Sequence, residues 1–198
     1  KLYANKNHID SIIYSYEKIN KPSSGGIDRV FMSSMTNFYN ALNDSLKQRV
    51  LKHVIDIKKR SGTQKELQYL TDQIIVGEEE FQRALSLEEE GRIFIQNNKF
   101  NESIVKYKEA LAIRKNNYPY IQTIGLAYYN LGQFKDAIKY LSILENDDIP
   151  LDPVSLYAMG ISSFNVGKQK TGCQYLEKAS KFGQENAKVA YLNYCDTE

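Results

Sequence analysis

Gly91, Gly125 and Gly160 stand 34 and 35 residues apart, and the residues around them recur with them. In the second copy the run is Ile121, Ile124, Gly125, Tyr128, Gly132, Phe134, Ala137 and Leu141. A period of this length marks an array of small units, each unable to bury its own apolar face and each stacked on the next. The spacing inside one copy defines the unit. Leu87, Gly91 and Phe94 share one face of a helix, Asn97 and Asn98 turn the chain, and Ser103, Tyr107, Ala110 and Leu111 share one face of a second helix. Each unit is therefore two antiparallel helices. A glycine at the crossing lets the axes approach closely, with a small residue expected opposite it: Ser103 facing Gly91, Ala137 facing Gly125 and Gly172 facing Gly160.

From about Ala84 to Asn186 the chain resembles the tetratricopeptide repeat family. The second copy carries the resemblance best, with Leu131-Gly132-Gln133-Phe134 followed by Ala137 and Ile138. In the first copy Ser103 stands for the usual alanine and Lys115 stands where proline is common; in the third, Ser163 replaces the usual tyrosine. The resemblance implies an all-α fold: a right-handed α-solenoid of three helix pairs (84–117, 118–152 and 153–186). An N-terminal helical segment (1–83) precedes the pairs and a C-terminal capping helix (187–198) follows. It also implies a concave groove lined by the first helix of each pair, which binds a protein or peptide without catalysis and without a cofactor.

Carried onto this chain, the groove positions include Arg92 in the first copy, Gln122, Leu126 and Tyr129 in the second, and Tyr157, Ile161 and Phe164 in the third. The groove thus runs from a charged end to an apolar, aromatic end. One subclass of the family grips the C-terminal carboxylate of chaperones with basic residues at these positions. Here Glu88, Tyr157 and Ile161 occupy them, and a carboxylate would meet no adequate counter-charge. The expected occupant is an apolar peptide or helical segment. Alternatives are a chaperone role toward an apolar segment of a secreted or membrane client, or a groove covered by the chain's own N-terminal helices or by a second copy in a homodimer.

Upstream, apolar spacing predicts helices over 7–19, 27–42 and 46–59, then a further run from Thr63 through Ile74 that Gly77 ends in a left-handed conformation. Glu78, Glu79 and Glu80 open the next helical run, where acidic residues suit the positive end of the helix dipole. Lys47, Arg49, Lys52, Lys58 and Lys59 make one face of the third predicted helix basic. No aromatics interleave them for stacking on bases, so a solvated face is expected and nucleic acid is not.

Charge gives no field for nucleic acid or an acidic membrane, since 26 basic and 24 acidic residues leave +2. No apolar run approaches the roughly 18 residues of a membrane span. The chain opens on Lys1, which fits either a removed export signal or trimming. His8 and His53 lie outside the recurring copies, no phosphate loop is present, and the acidic stretch Glu145 to Asp152 lacks the alternate spacing of a calcium cage. No metal site is expected. Pro119 and Pro150 are expected to stop helices between patterns. Cys173 and Cys195 lie at similar distances from a turn near Gly183, so a disulfide is sterically conceivable if the last helix folds back. Two buried free thiols are the commoner outcome for such residues and are the expectation here.

Overall fold

A computed structural model of the chain describes residues 72–195 and, before them, positions 42, 45, 47, 48 and 50–52. The predicted helices over 7–19 and 27–42, most of those over 46–59 and 63–74, and residues 196–198 lie outside the described residues. The chain divides into two compact units, residues 1–82 and 83–198. In the first unit Leu42, Val50 and Ile74 are buried. Gly77 takes the left-handed backbone predicted for it, φ +85°, and its N–H donates to the Gln73 carbonyl.

The described residues are all-helical from there on, with adjacent helices packed in series. The elements are α1 (Glu78–Gln96), α2 (Phe100–Ile113), α3 (Tyr118–Asn130), α4 (Phe134–Asn146), α5 (Pro153–Asn165), α6 (Gln169–Lys181) and α7 (Glu185–Tyr194). Helix α7 begins two residues before the expected capping helix. Each of α2 to α6 packs on the next helix in sequence, and α6 packs on α7; α3 also touches α5.

The turns inside the first three pairs are built alike. Asn98, Gly132 and Gly167 adopt φ of 57°, 70° and 79°, the left-handed backbone that lets a chain leave a helix at once. After each, the next N–H donates back five residues: Lys99 to the Phe94 carbonyl, Gln133 to Tyr128 and Lys168 to Ser163, at 2.8–2.9 Å. Helix starts are marked as clearly. Asn117 accepts from the Tyr120 N–H at 3.1 Å, and Asp152 accepts from the Ser155 N–H at 2.7 Å. Pro119 and Pro153 sit in the first turns of α3 and α5, where no amide hydrogen is needed. Pro119 therefore opens a helix and does not stop one, contrary to the expectation from sequence; Pro150 does lie between helices.

The recurring glycines sit at the helix crossings, and the nearest contact of each is a bulky side chain in addition to the small residue expected from sequence. A Cβ on Gly91 would come within 2.7 Å of the Tyr107 ring. On Gly125 it would meet Leu141 at 2.7 Å, and on Gly160 it would meet Leu176 at 2.8 Å. The partner is always sixteen residues on, and always large. The glycine is a hole that receives a bulky knob, one helical turn beyond the small residue predicted to face it. In the third pair small residues meet as well, with the Gly172 carbonyl 3.2 Å from a Cβ built on Gly160. Ser103 and Ala137 are fully buried beside these crossings. Leu141 and Leu176 then lie in one core with Ile121, Leu144, Leu156, Met159 and Ala179, while Tyr107 lies in a second with Leu87, Ile104 and Ile124.

Cys173 and Cys195 are joined in a disulfide, so the expectation of two free thiols is overturned. Helix α7 folds back on α6 past Gly183, whose φ is +83°, and brings the two Cα atoms to 5.7 Å. On the chain-entropy estimate, closing a separation of 22 residues contributes about 3 kcal/mol.

Candidate functional site

The sequence-predicted groove residues fall into three groups. Leu126 and Tyr129 on α3, with Tyr157, Ile161 and Phe164 on α5, form one half-buried apolar row packed against the larger core. The period of α3 and α5 places positions four and three residues apart on one face, so each helix contributes its last two turns to the row. Tyr129 bridges the two helices, its ring 6.2 Å from Tyr157 at 72° and 6.4 Å from Phe134. Burial first, and then Tyr157, pushes the Tyr129 phenol up to about 12.

Gln122 has a different task. Its amide nitrogen donates to the Ser155 hydroxyl at 2.9 Å and to the Asp152 carboxylate, so it ties α3 to the first turn of α5. Arg92 is exposed and bonds Glu89 on its own helix, Nε to Oε2 at 2.8 Å. That bond holds the Glu89 carboxyl below the usual range. The structure thus brings five of the seven predicted residues into one surface, ties Gln122 to the start of α5 and gives Arg92 a partner on its own helix.

Glu88, expected on the groove wall, also joins a part-buried polar cluster. The Tyr120 hydroxyl donates to Glu88 Oε2 at 2.6 Å and accepts from Arg114 Nη1 at 2.6 Å, while Arg114 and Glu88 are 3.6 Å apart. The guanidinium also lies 5.1 Å from the Tyr120 ring centroid. The Arg114 side chain is 5% exposed and that of Glu88 is 37% exposed. A similar bond closes the next interval, where the Tyr175 hydroxyl donates to Glu145 at 2.5 Å. The acidic stretch from Glu145 to Asp152 therefore does structural work at both ends, with Asp147 and Asp148 exposed in the turn between and Asp147 beside the Tyr118 phenol.

At the far end of the row, Ile161, Phe164, Asn165 and Tyr194 line a cavity of about 280 Å³. The Phe164 and Tyr194 rings are 5.7 Å apart. Tyr194 lies within the expected capping helix, but nothing in the sequence marked its ring as a wall of this cavity. Asn165 donates to the Ile161 carbonyl at 2.9 Å, as Asn130 does to Leu126 at 2.8 Å.

The titration of the buried phenols predicts an alkaline limit. Tyr107 is pushed up to about 12 by burial and then by Glu88. Tyr120 and Tyr175 are raised further, by burial and then by their bonds to Glu88 and Glu145. An unfolded tyrosine ionises near pH 10, so below that pH both states are neutral and the full contribution is present. Above it the unfolded chain loses protons that the folded one keeps, and stability falls as pH rises toward the folded values. Thermal unfolding should therefore be level from pH 7 to 9 and decline above about pH 10, in step with the late phase of tyrosinate absorbance. A melting temperature unchanged at pH 11.5 would contradict the burial of these rings.

Among the described residues, no group of three or more His, Cys, Asp or Glu side chains is placed to hold a metal ion, and no helix is long and apolar enough to cross a membrane. The chain matches no protein-family model and no curated protein.

Proposed function

We propose that residues 84–186 are three tetratricopeptide-like repeats in a right-handed solenoid, and that the molecule is a non-catalytic interaction module. Its ligand is an apolar segment of a partner protein, laid across α3 and α5. The observation that carries this reading is the continuous half-buried row Leu126, Tyr129, Tyr157, Ile161 and Phe164, on two first helices in direct contact. The equal sixteen-residue offset between each crossing glycine and its knob supports the repeat count. A site of this kind takes leucine or aromatic side chains between its rings and gains little from charge.

Affinity capture with the whole chain, wild type against the Tyr157→Ala/Phe164→Ala double variant, tests the reading. Interface aromatics of this kind are each worth about 2 kcal/mol, so partners held by the row should bind at least about tenfold more weakly to the variant. An unchanged partner set, with the variant folded by circular dichroism, would refute it. A wild-type dimer in sedimentation that the double variant dissolves would assign the row to a second copy of the chain.

A further inference from the structure

We propose that the Cys173–Cys195 disulfide is a redox latch, whose state decides whether α7 stays on α6 and whether Tyr194 stays against Phe164. This holds whatever the aromatic row binds. Helix α7 is ten residues long, too short to persist alone in water. It carries no side-chain N-cap. Its buried residues are Ala187 and Ala190, and Tyr191 is half-buried against the larger core, while Val189, Leu192 and Tyr194 are 57%, 53% and 56% exposed. Packing therefore holds it through two small side chains and the Tyr191 ring, with its other large apolar side chains largely in solvent. The disulfide sits one residue beyond its last turn, so α7 is tied at both ends, by the Gly183 turn and by Cys195. Both cysteines are half-buried, within reach of a small thiol. Tyr194 is the neighbour of Cys195, and its ring walls the cavity with Ile161 and Phe164.

Reduction balances with a dithiol as the co-reactant. One thiolate of the dithiol attacks a sulfur of the disulfide and displaces the other cysteine as thiolate. The second thiol of the reagent then attacks the mixed disulfide and leaves as a cyclic disulfide. Two electrons and two protons pass to Cys173 and Cys195. With the tie gone, α7 opens from α6, Tyr194 leaves Phe164, and the cavity widens into the apolar row.

Amide hydrogen exchange on the whole chain reads this directly. Residues 118–146 of the second helix pair serve as the internal reference. With dithiothreitol, exchange of α7 should rise by about two orders of magnitude, the reference should not change, and glutathione disulfide should restore protection. The Cys173→Ser/Cys195→Ser variant should match the reduced wild type, and oxidised Tyr194→Ala should keep α7 protected. The latch is refuted if reduction leaves α7 exchange within about threefold of the oxidised value, or if α7 and the reference rise together. It is equally refuted if Tyr194→Ala alone frees α7 as fully as reduction does.

Discussion

Gly125→Val is expected to destabilise the chain by about 3 kcal/mol, at the upper end of overpacking costs. A Cβ at this position would lie 2.7 Å from Leu141 Cγ and 3.4 Å from the Leu141 backbone nitrogen. Leu141 is fully buried in the larger core, so its side chain has no room to retreat. Even alanine, worth about 1 kcal/mol over glycine in a helix interior, should come out destabilising here. Gly132 makes the contrast. Its nearest neighbour to a Cβ is Phe134 at 4.0 Å, so Gly132→Ala meets only the backbone strain of φ +70°, about 1–2 kcal/mol. Urea unfolding of both variants and of Gly125→Val/Leu141→Ala separates the effects. Leu141→Ala alone should cost about 2–5 kcal/mol, yet the double variant should lose clearly less than the sum, because the space vacated by leucine admits valine. Additive losses would mean that the two side chains do not meet.

Arg114→Met is expected to cost about 2–3 kcal/mol. Removing one member of a fully buried ion pair costs about 3–5 kcal/mol, and partial solvent access to Glu88 lowers that figure here. The methionine keeps the packing but leaves the Glu88 carboxylate with only the Tyr120 hydroxyl as donor among the contacts described above. The double variant Glu88→Gln/Arg114→Met should recover part of the loss, since no charge is then left beneath the surface. Tyr120→Phe, which removes the bridging hydroxyl and leaves the ion pair, should cost about 1 kcal/mol. A loss under about 0.5 kcal/mol for Arg114→Met would place this cluster among ordinary surface pairs.

The helices and their turns were legible because they depend on neighbours a few residues away. Glycine and asparagine at the turn positions and apolar spacing in threes and fours each act locally. The same holds for Gly77. What the sequence did not reveal were pairings across 16 to 33 residues: Tyr107 in the hole at Gly91, Tyr120 on Glu88, Gln122 on Ser155 and Cys173 with Cys195. These depend on how one helix is rotated against the next, and helical period alone leaves that rotation free by about one turn. The expected contact of Gly160 with Gly172 is present, but the bulky knob one turn beyond each small residue was not read. Asp152 before Pro153 carried a capping signal that could have been read, and it would have explained part of the acidic stretch without appeal to solvation. Nothing in the local pattern around Arg114, which stands beside Lys115 in a polar turn, marked it as buried.

The most direct measurement is a methyl-resolved nuclear Overhauser spectrum of the oxidised chain. The knob-in-hole crossing predicts strong cross-peaks from the Leu141 δ-methyls to the Gly125 α-protons and from the Leu176 δ-methyls to those of Gly160. If both sets are missing and those methyls report other helices, the glycines are not where the pairs close.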